Sequence, residues 1–155
     1  MAAGAMDVVP DQVAYSEYVI GFPAEKRSVA MVRTMVRAAC RSWRVPDEAA
    51  ERMELLASEV VTNAVRVSDG EILQARVRRV LSNLYFDCED SHPDVPVIPT
   101  MPDPTNPNGR GLALIDLLAR AHGWHRLPTR RAKTFWFLLS PDPDPDPDPH
   151  SPTDR

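Results

Sequence analysis

The sequence predicts an α/β (α+β) two-layer sandwich, in which a mixed, mostly antiparallel sheet is covered on one face by three helices. Apolar residues recur at helical spacing in three segments of the chain. Five other segments are short and either rich in β-branched and aromatic residues or alternate between apolar and polar positions, as strands do. With 155 residues, the chain is long enough for one domain with a continuous core.

The patterned region runs from residue 16 to residue 140 and is expected to form that domain. Residues 1–15 show no pattern and are expected to be flexible. Residues 141–155 alternate proline with aspartate, a composition that builds no core, so we expect a disordered, extended tail. The tail holds five of the 22 acidic residues and one of the 18 basic residues, so 17 of each remain in the body. A neutral body gives no electrostatic reason to bind long nucleic acid.

The first strand is expected over residues 16–22, and a helix follows it. Pro23 stands where proline suits the first turn of a helix, and apolar residues then recur from Val29 to Trp43. This helix is expected to end near Ser42. Its outer side carries five basic residues, here called the basic ridge: Lys26, Arg27, Arg33, Arg37 and Arg41. The ridge is either a solvated surface or a contact for an acidic partner.

The second helix is expected from Pro46 to about Val67. Glu59 and Asn63 are four residues apart on it, so both side chains project from the same side. A carboxylate next to a carboxamide can hold Mg²⁺ and a water molecule through oxygen ligands. The alternative interpretation is an exposed polar edge of the helix.

Two strands that form a hairpin are expected over residues 72–80 and 84–90. The second of them alternates apolar with polar residues and ends at Asp90, on the side that faces the helices. This acid is either a helix-capping or hydrogen-bonding residue, or it recognises a ligand.

Residues 91–108 contain six prolines, which remove backbone donors, and are expected to form a loop. Because loops of this length are usually functional, the loop is interpreted as a lid. Gly109-Arg110-Gly111-Leu112 then opens a third helix, whose exposed amides could approach an anion. The last strands are expected over 123–127 and 132–139. The final one is almost entirely apolar, which predicts an interior position with both faces covered.

His122 and His125 have no third ligand nearby in the sequence, so no metal site is expected there. Cys40 and Cys88 lie in apolar segments and are expected to be buried thiols in a reducing compartment. No apolar run approaches the length needed to span a membrane. We therefore expect a cytoplasmic protein that contacts neither membrane nor nucleic acid directly.

The order of these elements and three motifs resemble the histidine-kinase-like ATP-binding domain, known as the GHKL or Bergerat fold. The sequence SEVVTNAV at residues 58–65 is similar to the N-box of that family. Asp90 ends a strand as the family's base-reading aspartate does, and the GRGL segment at residues 109–112 matches its phosphate-binding element. More specifically, the chain resembles actinobacterial anti-sigma-factor serine/threonine kinases and stand-alone histidine-kinase-like ATPase proteins. The likeness covers about residues 16–139.

This resemblance implies ATP, or another nucleotide, and Mg²⁺ as cofactors. It implies that Glu59 is the general base, that Asn63 is the Mg²⁺ ligand, and that Asp90 reads the base with Thr134 beside it. The phosphates would be surrounded by Gly109, Arg110, Gly111 and Leu112. The implied function is a nucleotide-binding anti-sigma factor that regulates an alternative sigma factor. In its fullest version the protein also phosphorylates a serine or threonine of an anti-anti-sigma partner. The resemblance also suggests a homodimer formed through the first strand and helix.

The chain departs from the family pattern directly after Asp90, where His92 and Pro93 occupy positions that are usually glycine. Ala132 likewise stands where glycine often precedes Lys-Thr. These departures favour an alternative hypothesis, a non-catalytic regulatory binding protein with altered or lost nucleotide specificity. A third hypothesis, a histidine-kinase catalytic domain working in trans, ranks last because no helix with a phosphoacceptor histidine precedes the domain.

Overall fold

The structure is a computed structural model that describes residues 15–68, 70–91, 107–128 and 131–141. In chain order its elements are β1 (Tyr15–Pro23), α1 (Ser28–Ser42), α2 (Asp47–Ser68), β2 (Ile72–Val80), β3 (Asn83–Asp90), α3 (Pro107–Leu118), β4 (Ala121–Arg126) and β5 (Lys133–Leu139). The expected flexible N-terminus up to residue 14, most of the expected lid (92–106) and the tail from residue 142 lie outside the described residues.

The five strands form one sheet in the order β1-β2-β3-β5-β4. Each neighbouring pair is antiparallel, so this part of the chain has no parallel pairing. α1 packs against β1 and β2, α2 against β3 and β5, and α3 against α2 and β4. The predicted two-layer sandwich with three helices is therefore confirmed.

The core lies between the helices and one face of the sheet. Its largest fully buried side chains include Phe22, Met53, Leu56, Phe86 and Phe137. Phe86 and Phe137 are paired in register across β3 and β5, and their ring centroids are 5.4 Å apart. Because side chains alternate along a strand, this pair also directs Cys88 and Asp90 of β3 toward the helices.

The start of the first helix differs from the prediction. Pro23 is the last residue of β1, paired with Ile72, and the Ala24 amide donates to the Glu71 carbonyl at 2.7 Å. The helix begins only at Ser28, whose hydroxyl donates to the Pro23 carbonyl at 2.6 Å. Pairing with β2 holds Pro23 in the sheet, and that non-local contact outweighs the local preference of proline for a first helical turn.

β5 lies between β3 and β4, which confirms its predicted interior position. The prediction that both of its faces are covered is only partly correct. Phe135, Phe137 and Leu139 are buried against the helices, whereas Trp136 and Leu138, on the opposite face, are half-buried. No helix within the described ranges is long and apolar enough to span a membrane.

Both cysteines are free and buried in the core. Burial, assisted by the negative charge of Glu54, raises the pKa of the Cys40 thiol to about 11. Burial also raises the pKa of Cys88 well above its usual range, with further contributions from Asp90 and other nearby carboxylates. Neither thiol is therefore expected to ionise while the protein is folded near neutral pH.

The free energy of unfolding should consequently fall in alkaline solution. A thiol whose pKa is raised by folding contributes its full stability below its unfolded pKa, about 9, and loses it as the pH rises toward 11. For Cys40 a shift of this size corresponds to about 2–3 kcal/mol. Urea unfolding at pH 8, 9 and 10 would measure the decline, and Cys40→Ala should make it shallower. An unchanged slope in that variant would contradict the assignment.

Candidate functional site

α2 carries the two polar residues singled out from the sequence. Glu59 and Asn63 are both half-buried. The side-chain nitrogen Nδ2 of Asn63 is buried and makes no hydrogen bond to any described residue. The neighbouring Ser58 and Thr62 hydroxyls donate instead to carbonyls one turn earlier in the helix. An unsatisfied buried donor costs about 1–3 kcal/mol of stability. We therefore expect Asn63 Nδ2 to donate a hydrogen bond to an acceptor on a bound ligand.

The Glu59 carboxylate lies directly against Gly111 of α3. A Cβ atom at residue 111 would be 3.1 Å from the Cβ of Glu59 and 3.3 Å from its Cδ, with Oε2 nearer still. Gly111 is buried, and only the absence of a side chain leaves room for the carboxylate. The structure thus brings together Glu59 and the glycine segment that the sequence assigned to phosphate binding.

The beginning of α3 differs from the prediction in one respect that matters for anion binding. The helix begins at Pro107, two residues before the glycine segment, because proline is well suited to the first turn of a helix. The amides without an acceptor inside the helix are therefore those of residues 108 and 109. Leu112 is half-buried and packs against the core. In this arrangement Gly111 leaves space for Glu59, and the preceding amides are the candidates for holding an anion.

Asp90 ends β3 on the side of the helices and is only 8% exposed. Lys133, directly opposite on β5, donates from Nζ to Asp90 Oδ1 at 2.8 Å. The expected neighbour of Asp90 was Thr134, and that prediction was wrong. Thr134 is paired with Glu89, so alternation along β5 turns it toward the other face of the sheet. Its hydroxyl is buried and has no hydrogen-bond partner among the described residues.

A cavity of about 350 Å³ opens at Asp90, and Leu73, Glu89, Ser91 and Arg131 are among the described residues that line it. This end of the site is joined to α2, because the Ser91 amide donates to Ser68 Oγ at 3.1 Å. At 1.5 Å of rise per residue, Asn63 lies about 8 Å and Glu59 about 14 Å along the helix axis from Ser68. The candidate site therefore has an Asp90 end, near the last residue of α2, and a Glu59 end about 14 Å away along the helix axis.

One buried acid escaped the sequence analysis. Asp87 is 2% exposed on the face of the sheet away from the helices, and it accepts hydrogen bonds from Arg76 at 2.8 Å and Arg78 at 2.7 Å. Burial, the largest single influence, acts to lower the pKa of Arg76, but the hydrogen bond with Asp87 and the negative charges of Asp87, Glu17 and Glu89 together outweigh it and the pKa is raised. The register of β2 against β3, which no local pattern in the sequence reveals, places Arg76 opposite Asp87. These contacts fasten β2 to β3, the strand that presents Asp90.

The basic ridge is partly used inside the fold. Arg33 and Arg37 both bind the Glu54 carboxylate on α2 and so join the two helices. The hydrogen bond to Glu54 raises the pKa of Arg37. On β4, His122 Nε2 lies 3.0 Å from Asp116 Oδ1. No group of three side chains that could hold a metal ion is found in the described ranges.

The chain matches the family model of the histidine kinase-like ATPase domain over residues 22–134. The chain therefore belongs to the histidine kinase-like ATPase domain family, as its motifs indicated. Domains of this family bind ATP with Mg²⁺ in general. No curated protein matches the chain.

The residues at the Glu59 end fit the phosphates and the cation of such a ligand. Asn63 has a buried Nδ2 donor without a partner among the described residues, which suits an acceptor such as a phosphate oxygen, and its side-chain oxygen could hold a cation. Gly111 leaves room for the Glu59 carboxylate next to the start of α3, where the amides of residues 108 and 109 have no acceptor inside the helix. The Asp90 end is a less simple fit for the base of a nucleotide, because the Asp90 carboxylate already forms a buried ion pair with the Lys133 ammonium. Any base bound there meets an ion pair and not an isolated carboxylate.

Proposed function

We propose that this protein is a nucleotide-binding anti-sigma factor that regulates an alternative sigma factor, and that it also phosphorylates a serine or threonine of an anti-anti-sigma partner. The observation that carries the proposal is the placement of Glu59 against Gly111, one helical turn from the unsatisfied amide of Asn63. Family membership supports nucleotide binding. The resemblance of SEVVTNAV and GRGL to the anti-sigma-factor kinases supports the regulatory role.

The chemistry needs few groups, because phosphoryl transfer depends mainly on positioning and charge stabilisation. ATP with Mg²⁺ supplies the phosphoryl group and a compensating positive charge when bound. Glu59 accepts the proton of the partner's hydroxyl while that oxygen forms its bond to phosphorus and the nucleoside diphosphate leaves. Asn63 would hold the cation through its side-chain oxygen, and the amides of residues 108 and 109 would hold phosphate oxygens.

A cytoplasmic location and a homodimer formed through β1 and α1 belong to the same proposal. β1 is an edge strand, and Val19 on it is 47% exposed. Unpaired edge strands are common sites of association between chains. Lys26 and Arg27, just before α1, and Arg41, on α1, are exposed members of the basic ridge and provide a surface for an acidic segment of a partner.

The regulatory role is tested with transcription in vitro. The purified full chain is added to core RNA polymerase loaded in turn with each alternative sigma factor of the source organism, with and without Mg-ATP. We expect inhibition of one sigma factor and little effect on the housekeeping one. The proposal is overturned when the chain inhibits none of them and a sedimentation assay detects no complex with any free sigma factor.

The catalytic role makes a separate prediction for Glu59→Gln, which keeps the side chain's size but removes its basicity. Transfer of labelled phosphate to the anti-anti-sigma partner should fall by a factor of about 100 or more. ATP affinity, measured by calorimetry, should change little. Glu51→Gln, an exposed acid earlier on α2, is the matched control and should transfer phosphate normally. Normal transfer by Glu59→Gln would refute the role as general base.

A second candidate function is favoured by the Asp90–Lys133 ion pair and by His92 and Pro93, which lie outside the described residues. In this alternative the protein binds its partner without catalysis and has altered or lost nucleotide specificity. It predicts inhibition of a sigma factor regardless of nucleotide and no transfer of phosphate by the wild-type chain. The two experiments above therefore separate the candidates.

A further inference from the structure

Three arginines come together at the corner where α1 ends and α2 begins. Arg37, Arg41 and Arg44 line one cavity of about 520 Å³ there. Arg41 and Arg44 are exposed, and neither guanidinium forms an ion pair with another described residue. Arg44 has a φ of 55°, a left-handed conformation in which helices usually end on glycine. An arginine at this position keeps a cation at the corner in spite of its conformational cost.

The basic ridge continues this positive surface along α1. The side chain of Arg33 is 51% exposed and that of Arg37 55% exposed, although both bind Glu54. Against its five cations, the described structure pairs the ridge with two acids, Glu54 and Glu25, which leaves a net charge of about +3. α1 itself contains no acidic residue. The ridge therefore keeps an excess of positive charge that the described fold does not compensate.

The start of α2 limits where a negatively charged occupant can lie. Asp47 and Glu51 line the same cavity as the three arginines. These carboxylates would repel an acidic segment that crosses α2. An acidic occupant is therefore expected along α1 and not across the two helices.

The chain itself carries an acidic segment that leaves the sheet close to this corner. Residues 141–155, here called the acidic tail, hold five acids and one base. Leu139 near the end of β5 lies opposite Leu84, and Leu84 lies opposite Arg79, whose guanidinium donates to the carbonyl of Trp43 directly after α1. β5 is two strands away from β2, a distance of about 10 Å. The acidic tail therefore begins at the end of the sheet where α1 ends.

The reach and the charge spacing of such a segment fit α1. A chain with proline at every second residue is restricted to extended conformations and advances about 3.1 Å per residue. Aspartates at every second position of such a chain are about 6 Å apart, and arginines four residues apart on a helix, as in Arg33, Arg37 and Arg41, are also about 6 Å apart. Ten residues of this kind span about 30 Å, more than the length of α1, which is about 22 Å.

We propose that the acidic tail binds along the basic ridge of its own chain, from Arg44 at the end of α1 toward Arg33, and competes there with any acidic partner. The direction follows from the position at which the tail leaves the sheet. Each exposed ion pair is weak, but the tether gives the tail a high effective concentration at the ridge. The inference is independent of the nucleotide site and of the sigma factor.

The first test locates the tail by paramagnetic relaxation enhancement in NMR spectra of the full chain. A nitroxide is attached at Ser151→Cys, and the buried Cys40 and Cys88 should not react with the label. Amide signals in the first half of α1 should be broadened, and those of α3 should stay sharp. The broadening should be lost in about 1 M NaCl, where the screening length falls to about 3 Å.

The matched control is a fourfold variant with a neutral tail of the same length. It carries asparagine in place of Asp142, Asp144, Asp146 and Asp148, and its label should no longer broaden the signals of α1. Broadening that is unchanged in this variant overturns the proposal. If the broadening arises only between a nitroxide-labelled chain and a separate isotope-labelled chain, the tail of a second copy is bound, which also contradicts it.

The second test measures competition with a fluorescent synthetic peptide that has the sequence of residues 141–155. The peptide should bind the neutral-tail variant about fivefold or more tightly than the wild type, because the tethered tail occupies the ridge in the wild type. In the neutral-tail background, Arg41→Glu should weaken peptide binding about threefold or more. Arg126→Glu reverses an exposed charge on β4 and should have little effect.

Two results of the competition test would rule out the contact. One is equal affinity of the peptide for the wild type and the neutral-tail variant. The other is an equal effect of Arg126→Glu and Arg41→Glu, which would reveal attraction to the overall charge of the protein and not to the ridge.

Discussion

Lys133→Met is expected to lower the free energy of unfolding by about 3–5 kcal/mol, the usual cost of leaving one buried charge without its partner. The Asp90 side chain is 11% exposed, and the variant would lack the ammonium that lies 2.8 Å from its Oδ1 atom. Urea unfolding followed by circular dichroism at pH 7 measures the change. An effect of this size would exceed that of most surface substitutions several-fold.

A double-mutant cycle shows whether this cost arises from the pair. Adding Asp90→Asn to Lys133→Met removes the carboxylate that has lost the Lys133 ammonium, so most of the lost stability should return. Lys26→Met removes an exposed ammonium of the basic ridge and should change the free energy of unfolding by less than about 0.5 kcal/mol. If Lys133→Met is as stable as Lys26→Met, the ion pair contributes little to the fold.

Gly111→Ala should destabilise the protein by about 1–3 kcal/mol, the usual cost of overpacking. The helical preference of alanine over glycine, about 1 kcal/mol, acts in the opposite direction but is smaller than the clash. The new Cβ would meet both the Cβ and the carboxyl end of Glu59. Because Glu59 must move, nucleotide affinity should also fall. Urea unfolding and calorimetry measure the two effects.

The background of Glu59→Ala provides the control for this prediction. That variant removes the carboxylate and Cδ, which leaves only the Cβ contact at 3.1 Å, so Gly111→Ala should then cost little or even stabilise the helix. Leu117→Ala, at a position of α3 that is 77% exposed, should leave both stability and affinity close to wild type. Equal costs of Gly111→Ala with and without Glu59 would show that the two residues are not coupled.

The features that the sequence predicted well are those encoded locally. The helical spacing of α2 places Glu59 beside Asn63, and the alternation in β3 turns Asp90 toward the helices, whatever the rest of the chain does. The match of the whole domain to its family follows from the same segments.

The features that escaped prediction depend on contacts between distant segments. Whether Asp90 meets Lys133 or Thr134 depends on the register of β3 against β5, and a shift of one residue exchanges the two faces of a strand. The hydrogen bonds of Asp87 with Arg76 and Arg78 depend in the same way on the register of β2 against β3. Pro23 stayed in β1 because β2 lies beside it, a neighbour that no local pattern reveals.

The part of α2 between Glu59 and Ser68 sets the distance between the two ends of the candidate site. The hydrogen bond between Ser91 and Ser68 fixes the helix at the Asp90 end, while Glu59 marks the opposite end about 14 Å away along the axis. Inserting one residue between Glu59 and Ser68 would rotate one end relative to the other by about 100° and separate the two halves of the site. Relatives that keep this site should therefore tolerate insertions in the loops that flank α2, but not within this part of the helix.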